Sequence, residues 1–428
     1  MSSVELLTQE NKELQLAVNE LRVLNDIATT ITSTQPVETI IDEIVQRCIK
    51  YLGVEEATIS LLERTTGAEE FHTMIRRLDS SAERVPIKLD NRLKGWMIKH
   101  RKVLLSNDIQ SDERFNYLSK VSYSFRSIVC VPIIAKGNLI GYLAVFNKKD
   151  ERPFSDQDRR LLSIIGSQSA QVIENARLYE EEKALFSLQE EMRMAKDIQL
   201  SLLPNHEPQL SGFELSATNI PAKSVGGDYY DFLTLSSQKV GFCIGDITGK
   251  GMPAAMLMAN LQATLRSQVI IFEDCCNCLK ATNKQLFHST AITKFATLFY
   301  GILDPNNNTL EYANGGHDAP LLFRSGKDEP EFLESTGLLL GVMEEVNYQR
   351  ASVSLTSGDL LFLFTDGITE AMNSRQEEFG LDRLIYLVSK NRQKPTDEII
   401  RSILQAVENH ADTASQSDDI TIMAIKKI

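Results

Sequence analysis

Hydrophobic positions change their period several times along the chain, and each change marks a boundary. Between residues 4 and 28 apolar side chains recur seven apart, with Leu7, Leu14, Leu21 and Ala28 on one line and Val4, Asn11, Val18 and Asn25 on the other. Leucine along one seam with an occasional asparagine in the other is how parallel two-stranded coiled coils fix their register. The same spacing also suits a single amphipathic helix packed on the next domain. From about Pro36 the pattern becomes mixed: 37–51 has helical spacing, 57–62 alternates as a strand, and 127–134 with 139–147 reads as a hairpin about Lys136-Gly137-Asn138. A long helix then starts at Ser155, with Asp158 three residues on as its capping-box partner. Its apolar register continues through Leu178, Leu185 and Met192 at one heptad position and Leu188, Ala195 and Leu202 at the other, until Pro204 stops it. Glu180-Glu181-Glu182 and Glu190-Glu191 give that helix an acidic face. Such a helix either transmits a change of pairing between domains or acts as a passive spacer. Residues 205–428 alternate strand and helix signals, with strand runs at 239–244 and 359–365 feeding acidic turns. The pattern predicts an α+β chain in four parts: an N-terminal helix at 1–33, a first domain at 34–176, a helical coiled-coil linker at 177–204 and a second domain at 205–428.

Composition sharpens this picture in three ways. A length of 428 residues suits two or three domains at roughly 150 residues each, and a 43% hydrophobic share supplies their cores. The formal net charge of -13 argues against nucleic acid or an anionic membrane as the main partner, since both need a basic surface. The first residues lack the charged and apolar regions of a signal peptide, and no apolar run approaches the roughly 20 residues of a membrane helix. The expectation is a cytoplasmic protein with no membrane insertion. Six cysteines show no metal-finger spacing, so Cys275, Cys276 and Cys278 are expected as reduced thiols on or beside a helix.

The chemistry lies in four acidic clusters, each where a strand run meets a turn. They are Gly226-Gly227-Asp228-Tyr229-Tyr230-Asp231, Gly245-Asp246-Ile247-Thr248-Gly249, Phe364-Thr365-Asp366-Gly367 and Ser417-Asp418-Asp419-Ile420. Carboxylates brought together repel and raise one another's pKa, a cost that a hard divalent cation removes. Oxygen donors without a His or Cys cluster favour Mg2+ or Mn2+ over zinc. A single Thr-Asp-Gly turn would mean little, because Asp-Gly turns are common; four in order are specific. The segment 245–250 is not a phosphate-binding P-loop, since three residues rather than four separate its glycines and Gly251 follows the lysine. Lys250 is expected as an exposed turn lysine, with contact to a substrate phosphate as the sharper alternative. His317 is expected to cap or brace the turn at Gly315-Gly316, with a proton donor as the sharper alternative. No cysteine is followed six positions later by arginine, so a thiolate phosphatase loop is absent.

These motifs, together with Asn314-Gly-Gly-His-Asp-Ala-Pro-Leu321 and Ala195-Lys-Asp-Ile-Gln-Leu-Ser-Leu-Leu-Pro204, resemble the SpoIIE-type bacterial branch of the PPM (type 2C) phosphatases across 195–428. The resemblance implies an αββα sandwich with a two-metal site between its sheets, holding two Mn2+ or Mg2+ ions. Matched residue by residue, Asp246 would bridge both ions and the Ile247 carbonyl would ligate one of them, while Asp228 would serve one metal and Asp366 and Asp418 the other. Asp419 would stand behind them, with the choice between Asp418 and Asp419 as direct ligand left open. The implied activity is a metal-dependent phosphoserine/phosphothreonine protein phosphatase, with a phosphorylated anti-sigma-factor antagonist of the STAS type as substrate. Two other readings are a pseudophosphatase that binds a phosphoprotein without hydrolysing it, and a small-molecule phosphohydrolase.

Residues from about 36 to 176 resemble a GAF domain at Gly95-Trp96, Ser106-Asn107-Asp108, Ser127–Ile133, Gly137–Phe146 and Phe154-Ser-Asp-Gln-Asp158. This implies a central antiparallel sheet with helices on one side and a ligand pocket on the other. Asn147-Lys148, Phe154 and Asp158 partly match the cyclic-nucleotide signature, but Arg159 stands where its final glutamate would be. The GAF ligand is not identified. Heptads on both sides of this domain predict a parallel homodimer.

Overall fold

The computed structural model describes residues 35–65, 68–77, 91–109, 111–114, 126–235, 239–290 and 294–428, with scattered positions between 7 and 25. Of the first heptad run, Leu7, Leu14, Val18 and Leu21 are helical and exposed, while Val4 and Ala28 lie outside the described residues. The chain divides into two compact units, Met1–Ser187 and Leu188–Ile428. Among the described residues no helix is long and apolar enough to cross a membrane.

The first unit is built on one antiparallel sheet. Helix α1 (Val37–Leu52) buries Ile40, Ile41, Ile44, Val45, Cys48 and Ile49 along one face, and Gly53 ends it in the left-handed conformation that glycine adopts without steric cost. Strands β1 (Val54–Thr65) and β2 (Ala68–Arg77), helix α2 (Asn91–His100) and strands β3 (Leu104–Ser106), β4 (Ile128–Ala135) and β5 (Asn138–Lys148) follow, in sheet order β2-β1-β5-β4-β3. The β4–β5 turn has Lys136 and Gly137 both at positive φ, the two-residue turn whose twist matches a hairpin. Helix α3 (Asp156–Leu202) starts where expected: Ser155 N–H donates to Asp158 Oδ2 at 2.8 Å and Asp158 N–H returns to Ser155 Oγ at 3.2 Å. Its first half buries Leu162, Ile165, Ala170 and Ile173 against α1 and the β1, β4 and β5 side chains Ala57, Val131 and Leu143. Beyond Ala176 the long apolar side chains Leu185 and Leu188 are mostly exposed.

The second unit is a sandwich of two five-stranded antiparallel sheets between two helix pairs. One sheet has the order β13-β10-β9-β8-β7 and the other β12-β11-β14-β15-β6. The first contains β7 (Tyr229–Thr234), β8 (Val240–Ile247), β9 (Ala296–Asp304), β10 (Thr309–Gly315) and β13 (Ala351–Ser354), and the second β6 (Phe213–Ile220), β11 (Leu321–Phe323), β12 (Glu331–Phe332), β14 (Leu360–Phe364) and β15 (Ile420–Lys427). Alternation along the strands divides the core into layers. Phe242, Ile244, Phe299, Leu361, Leu363 and Met423 meet between the sheets. The intervening positions Cys243, Leu298 and Tyr300 pack outward against α4 (Met252–Ile271) and α5 (Cys275–Ser289). Leu360, Phe362 and Ile422 pack outward against α7 (Leu381–Asn391) and α8 (Thr396–Ala411). Because both faces are covered, all five residues of β14 are buried and its sequence carries no polar alternation. A four-residue helix, α6 (Asp366–Thr369), follows β14 directly. The αββα layering is the one implied by the motifs. All six cysteines are free, and Cys275, Cys276 and Cys278 fall on the first turn of α5, with Cys276 only partly buried.

Candidate active site

Sheet order brings the acidic clusters together. Tyr229 pairs with Gly245, so Asp228 before β7 lies beside Asp246 near the end of β8. On the other sheet Phe364 pairs with Ile422, so Asp366 after β14 lies beside Asp418 and Asp419 before β15. The two sets meet across the sandwich: Thr365 Oγ1 and Thr421 Oγ1 donate to Asp228 Oδ2 at 2.8 and 2.6 Å. These threonines were missed in the sequence, although Thr365 lies inside one acidic motif and Thr421 directly follows another.

The two residues of the Asp418-Asp419 pair do different things. Asp419 Oδ1 accepts the Ala222 N–H at 2.7 Å, and its Oδ2 accepts the Gly227 N–H, so this side chain anchors the 222–227 loop. A Cβ on Gly226 would collide with the Asp419 carboxylate, and one on Gly367 with the Asp419 carbonyl, which explains glycine at both positions. A Cβ on Gly227 would stand 2.9 Å from the Ile247 carbonyl, which therefore faces this loop. Asp418 instead holds Lys250, with Nζ 2.7 Å from Oδ2, and its Oδ1 accepts the Asp419 N–H at 2.9 Å. Lys250, expected as a solvated turn lysine, is thus tied to the site.

The electrostatics follow from this crowding. Burial, and then the charges of Asp366 and Asp418, push the Asp246 carboxyl up to about 6. Burial and the charge of Asp246 hold Asp228 well above the ordinary carboxylate range. Asp366 is raised by burial and by Asp418. Two further acids missed in the sequence, Asp318 and Glu370, are raised by burial and by the charge of Asp366. Among the described residues no three His, Cys, Asp or Glu side chains form a ready-made coordination shell. The donor set nevertheless fits a hard cation: it is oxygen only and its negative charge is mutually repelling, with the Lys250 ammonium in contact with Asp418.

Surrounding contacts fix these loops. Gln199, near the end of α3, exchanges two hydrogen bonds with Gly226: its Nε2 donates to the carbonyl at 2.7 Å and its Oε1 accepts the N–H at 3.0 Å. Asp231 is fully buried and receives Arg266 at 2.8 and 3.1 Å and the Tyr229 hydroxyl at 2.8 Å, joining α4 to β7. His317 braces its turn through reciprocal bonds between Asn314 and its own backbone at 2.8 and 3.0 Å. Its Nδ1 lies 2.9 Å from Thr297 Oγ1, which in turn accepts the Asp246 N–H at 3.2 Å. Burial pushes its imidazole down to about 4.

Residues 236–427 match the family model described as Stage II sporulation protein E (SpoIIE), and residues 34–174 match that of a GAF domain. The chain carries a SpoIIE-type domain behind a GAF domain. It is 31% identical over 262 residues to Protein IcfG of Synechocystis sp., covering 55% of this chain and 41% of that protein. It is 28% identical over 256 residues to the phosphoserine phosphatase RsbU of Bacillus subtilis, covering 58% of this chain and 75% of RsbU. The phosphoserine phosphatase RsbP of the same organism is 22% identical, with 54% of this chain and 56% of RsbP aligned. The chain thus spans 41% to 75% of the length of these relatives. The SiaA-PP2C domain of Pseudomonas aeruginosa superposes with a TM-score of 0.52 at 20% identity, over 57% of this chain and 98% of that domain, and shares the sandwich fold of the SpoIIE-type domain.

Proposed function

We infer that this protein is a metal-dependent phosphoserine/phosphothreonine protein phosphatase controlled by its GAF domain. The observation that carries the reading is the meeting of Asp228 and Asp246 from one sheet with Asp366 and Asp418 from the other, where Asp246 feels the charge of both partners on the facing sheet. In this reading Asp246 holds two Mn2+ or Mg2+ ions, the Ile247 carbonyl and Asp228 complete one site, and Asp366 and Asp418 the other. Asp419 positions the Gly226-Gly227 loop rather than ligating, because its oxygens are engaged by backbone N–H groups. Two divalent cations supply Lewis acidity there, a more acidic water and a counter-charge for phosphoryl oxygens. Thr365 and Thr421 orient Asp228, and the missing side chain at Gly227 lets the Ile247 carbonyl approach.

The similarity to RsbU and RsbP, named as phosphoserine phosphatases, supports a phosphoprotein substrate. We assign it to a Ser-phosphorylated, STAS-type anti-sigma-factor antagonist in a partner-switching pathway in the cytoplasm, with a homodimer as the working form. Regulation through α3 is supported by Gln199, whose amide holds Gly226 two residues before Asp228.

The test is phosphate release from a Ser-phosphorylated STAS-domain protein, with Mn2+ and with EDTA, for the wild type and Asp366→Asn. Metal-dependent release that disappears in Asp366→Asn is expected. Release that persists in EDTA or in the variant overturns the metal assignment, and hydrolysis of an aryl phosphate without any phosphoprotein turnover replaces the protein phosphatase with a small-molecule phosphohydrolase.

A further inference from the structure

The turn between β8 and α4 holds a cationic group that the phosphatase reading leaves without a task. Lys250 lies between Gly249 and Gly251, at φ 102° and 75°, so the turn that presents it is one that only glycine flanks make easily. Its Nζ is 2.7 Å from Asp418 Oδ2 and donates to the Ser417 carbonyl at 2.6 Å. The side chain is still 44% exposed, so a ligand from solvent can reach the ammonium. Two more lysines stand at the same turn. Lys294 Nζ approaches the Thr248 carbonyl at 3.4 Å, and the stem of Lys223 lies 3.9 Å from the place a Gly251 Cβ would take. Three lysines around one turn, in a chain of net charge -13, form a local reversal of sign beside the acidic centre.

The partner of Lys250 is one of the carboxylates assigned to a cation. An ammonium and a divalent ion on the same carboxylate repel each other strongly at a few ångströms, so the two compete for Asp418. Lysine suits an exchange of partners, because its charge sits at the end of a flexible four-carbon stem with freely rotating donors. Phosphate oxygens are a natural second partner for such a point charge.

We propose that Lys250 alternates between two partners: it neutralises Asp418 until a divalent cation takes that carboxylate, and the displaced ammonium then binds the phosphoryl oxygens of the substrate, with Lys223 and Lys294 as the outer rim. This rests on the phosphatase reading and adds to it a phosphate-binding group coupled to metal occupancy. It also predicts opposite effects of one substitution on two ligands, which loss of packing alone does not produce.

The experiment titrates the full chain with Mn2+ by calorimetry, then the Mn2+-loaded protein with inorganic phosphate, for the wild type, Lys250→Met, Lys250→Gln and Lys250→Arg. Both neutral variants should bind Mn2+ roughly threefold to tenfold tighter and phosphate weaker by a similar factor, the range for one charge-assisted contact. Lys250→Arg should keep the phosphate affinity. Mn2+ binding that is unchanged or weaker in both neutral variants overturns the exchange, and unchanged phosphate affinity overturns the second partner. A wild type that binds no Mn2+ or Mg2+ overturns the phosphatase reading itself; a wild type that binds Mn2+ beside neutral variants that bind it no tighter overturns only the assignment of Lys250.

Discussion

Asp246 and His317 show how single side chains are set by what surrounds them. Asp246 is held near charges of its own sign, so Asp246→Asn should remove repulsion as well as function. Phosphate release should fall by at least about a hundredfold, the scale for losing one preorganised electrostatic group, while the melting temperature in EDTA stays level or rises. A variant that loses activity and stability together would instead mark Asp246 as structural. His317 acts in the opposite sense. Its buried imidazole stays neutral down to about 4, whereas the unfolded chain takes up the proton below 6.5. The unfolded state therefore binds more protons between those values, so the contribution of His317 to stability is full above 6.5 and is lost as pH falls toward 4. The loss is on the order of 3 kcal/mol at most. Urea unfolding of the wild type and His317→Gln across this range should give stability curves that converge as pH falls, and parallel curves would show that His317 does not titrate with folding.

Helix α3 marks how far pattern carries at the scale of elements. Its start, its capping box and its end before Pro204 were readable because a 3.6-residue period and short-range cap chemistry are local properties. So were α1 and the β4–β5 hairpin, each within a residue or two of the expected ends. The candidate carboxylates were legible for a similar reason: Asp228 precedes β7, Asp246 is the last residue but one of β8, Asp366 follows β14, and Asp418 and Asp419 precede β15. What holds them was not. Thr365 and Thr421 look like ordinary strand residues, and their hydroxyls meet Asp228 across 137 and 193 positions of sequence, a contact set by which strands neighbour one another. Lys250 likewise reads as solvated until β15 brings Asp418 to it across the turn. The division of work between Asp418 and Asp419 depends on loop backbone N–H groups that no local pattern reveals. Within α3, a break upstream should reach the site through Gln199. An internal proline costs roughly 3 kcal/mol or more, and even half of that transmitted to the Gly226 loop corresponds to about tenfold in rate. Leu188→Pro should therefore lower phosphate release about tenfold while Mn2+ binding persists. Unchanged release would make the helix a passive spacer.

At the scale of the whole molecule, the question is what covers the exposed apolar side chains of α3. Leu185 and Leu188 are 62% and 56% exposed, and they stand at the two core positions of the same heptad. Met192 and Ala195 continue the seam with partial exposure, and the next position in the first register is Gln199, which is turned to Gly226 instead. A second copy offers the same row of side chains in the same register, and a parallel pair buries both rows at once. Each leucine fully removed from water is worth about 1.5 to 3 kcal/mol, so a few such layers suffice to hold a pair at micromolar concentration. Opposing this is the net charge of -13 on each chain, which makes association weaker at low ionic strength than at high. Light scattering should therefore give twice the 48.0 kDa chain mass, with dissociation favoured by dilution at low salt. Replacing Leu185 and Leu188 together by Glu should return the monomer mass and leave the thermal transition of the SpoIIE-type domain in place, because these side chains support no core of their own. A monomer mass for the wild type at every concentration and salt level would remove the seam as the reason for those leucines.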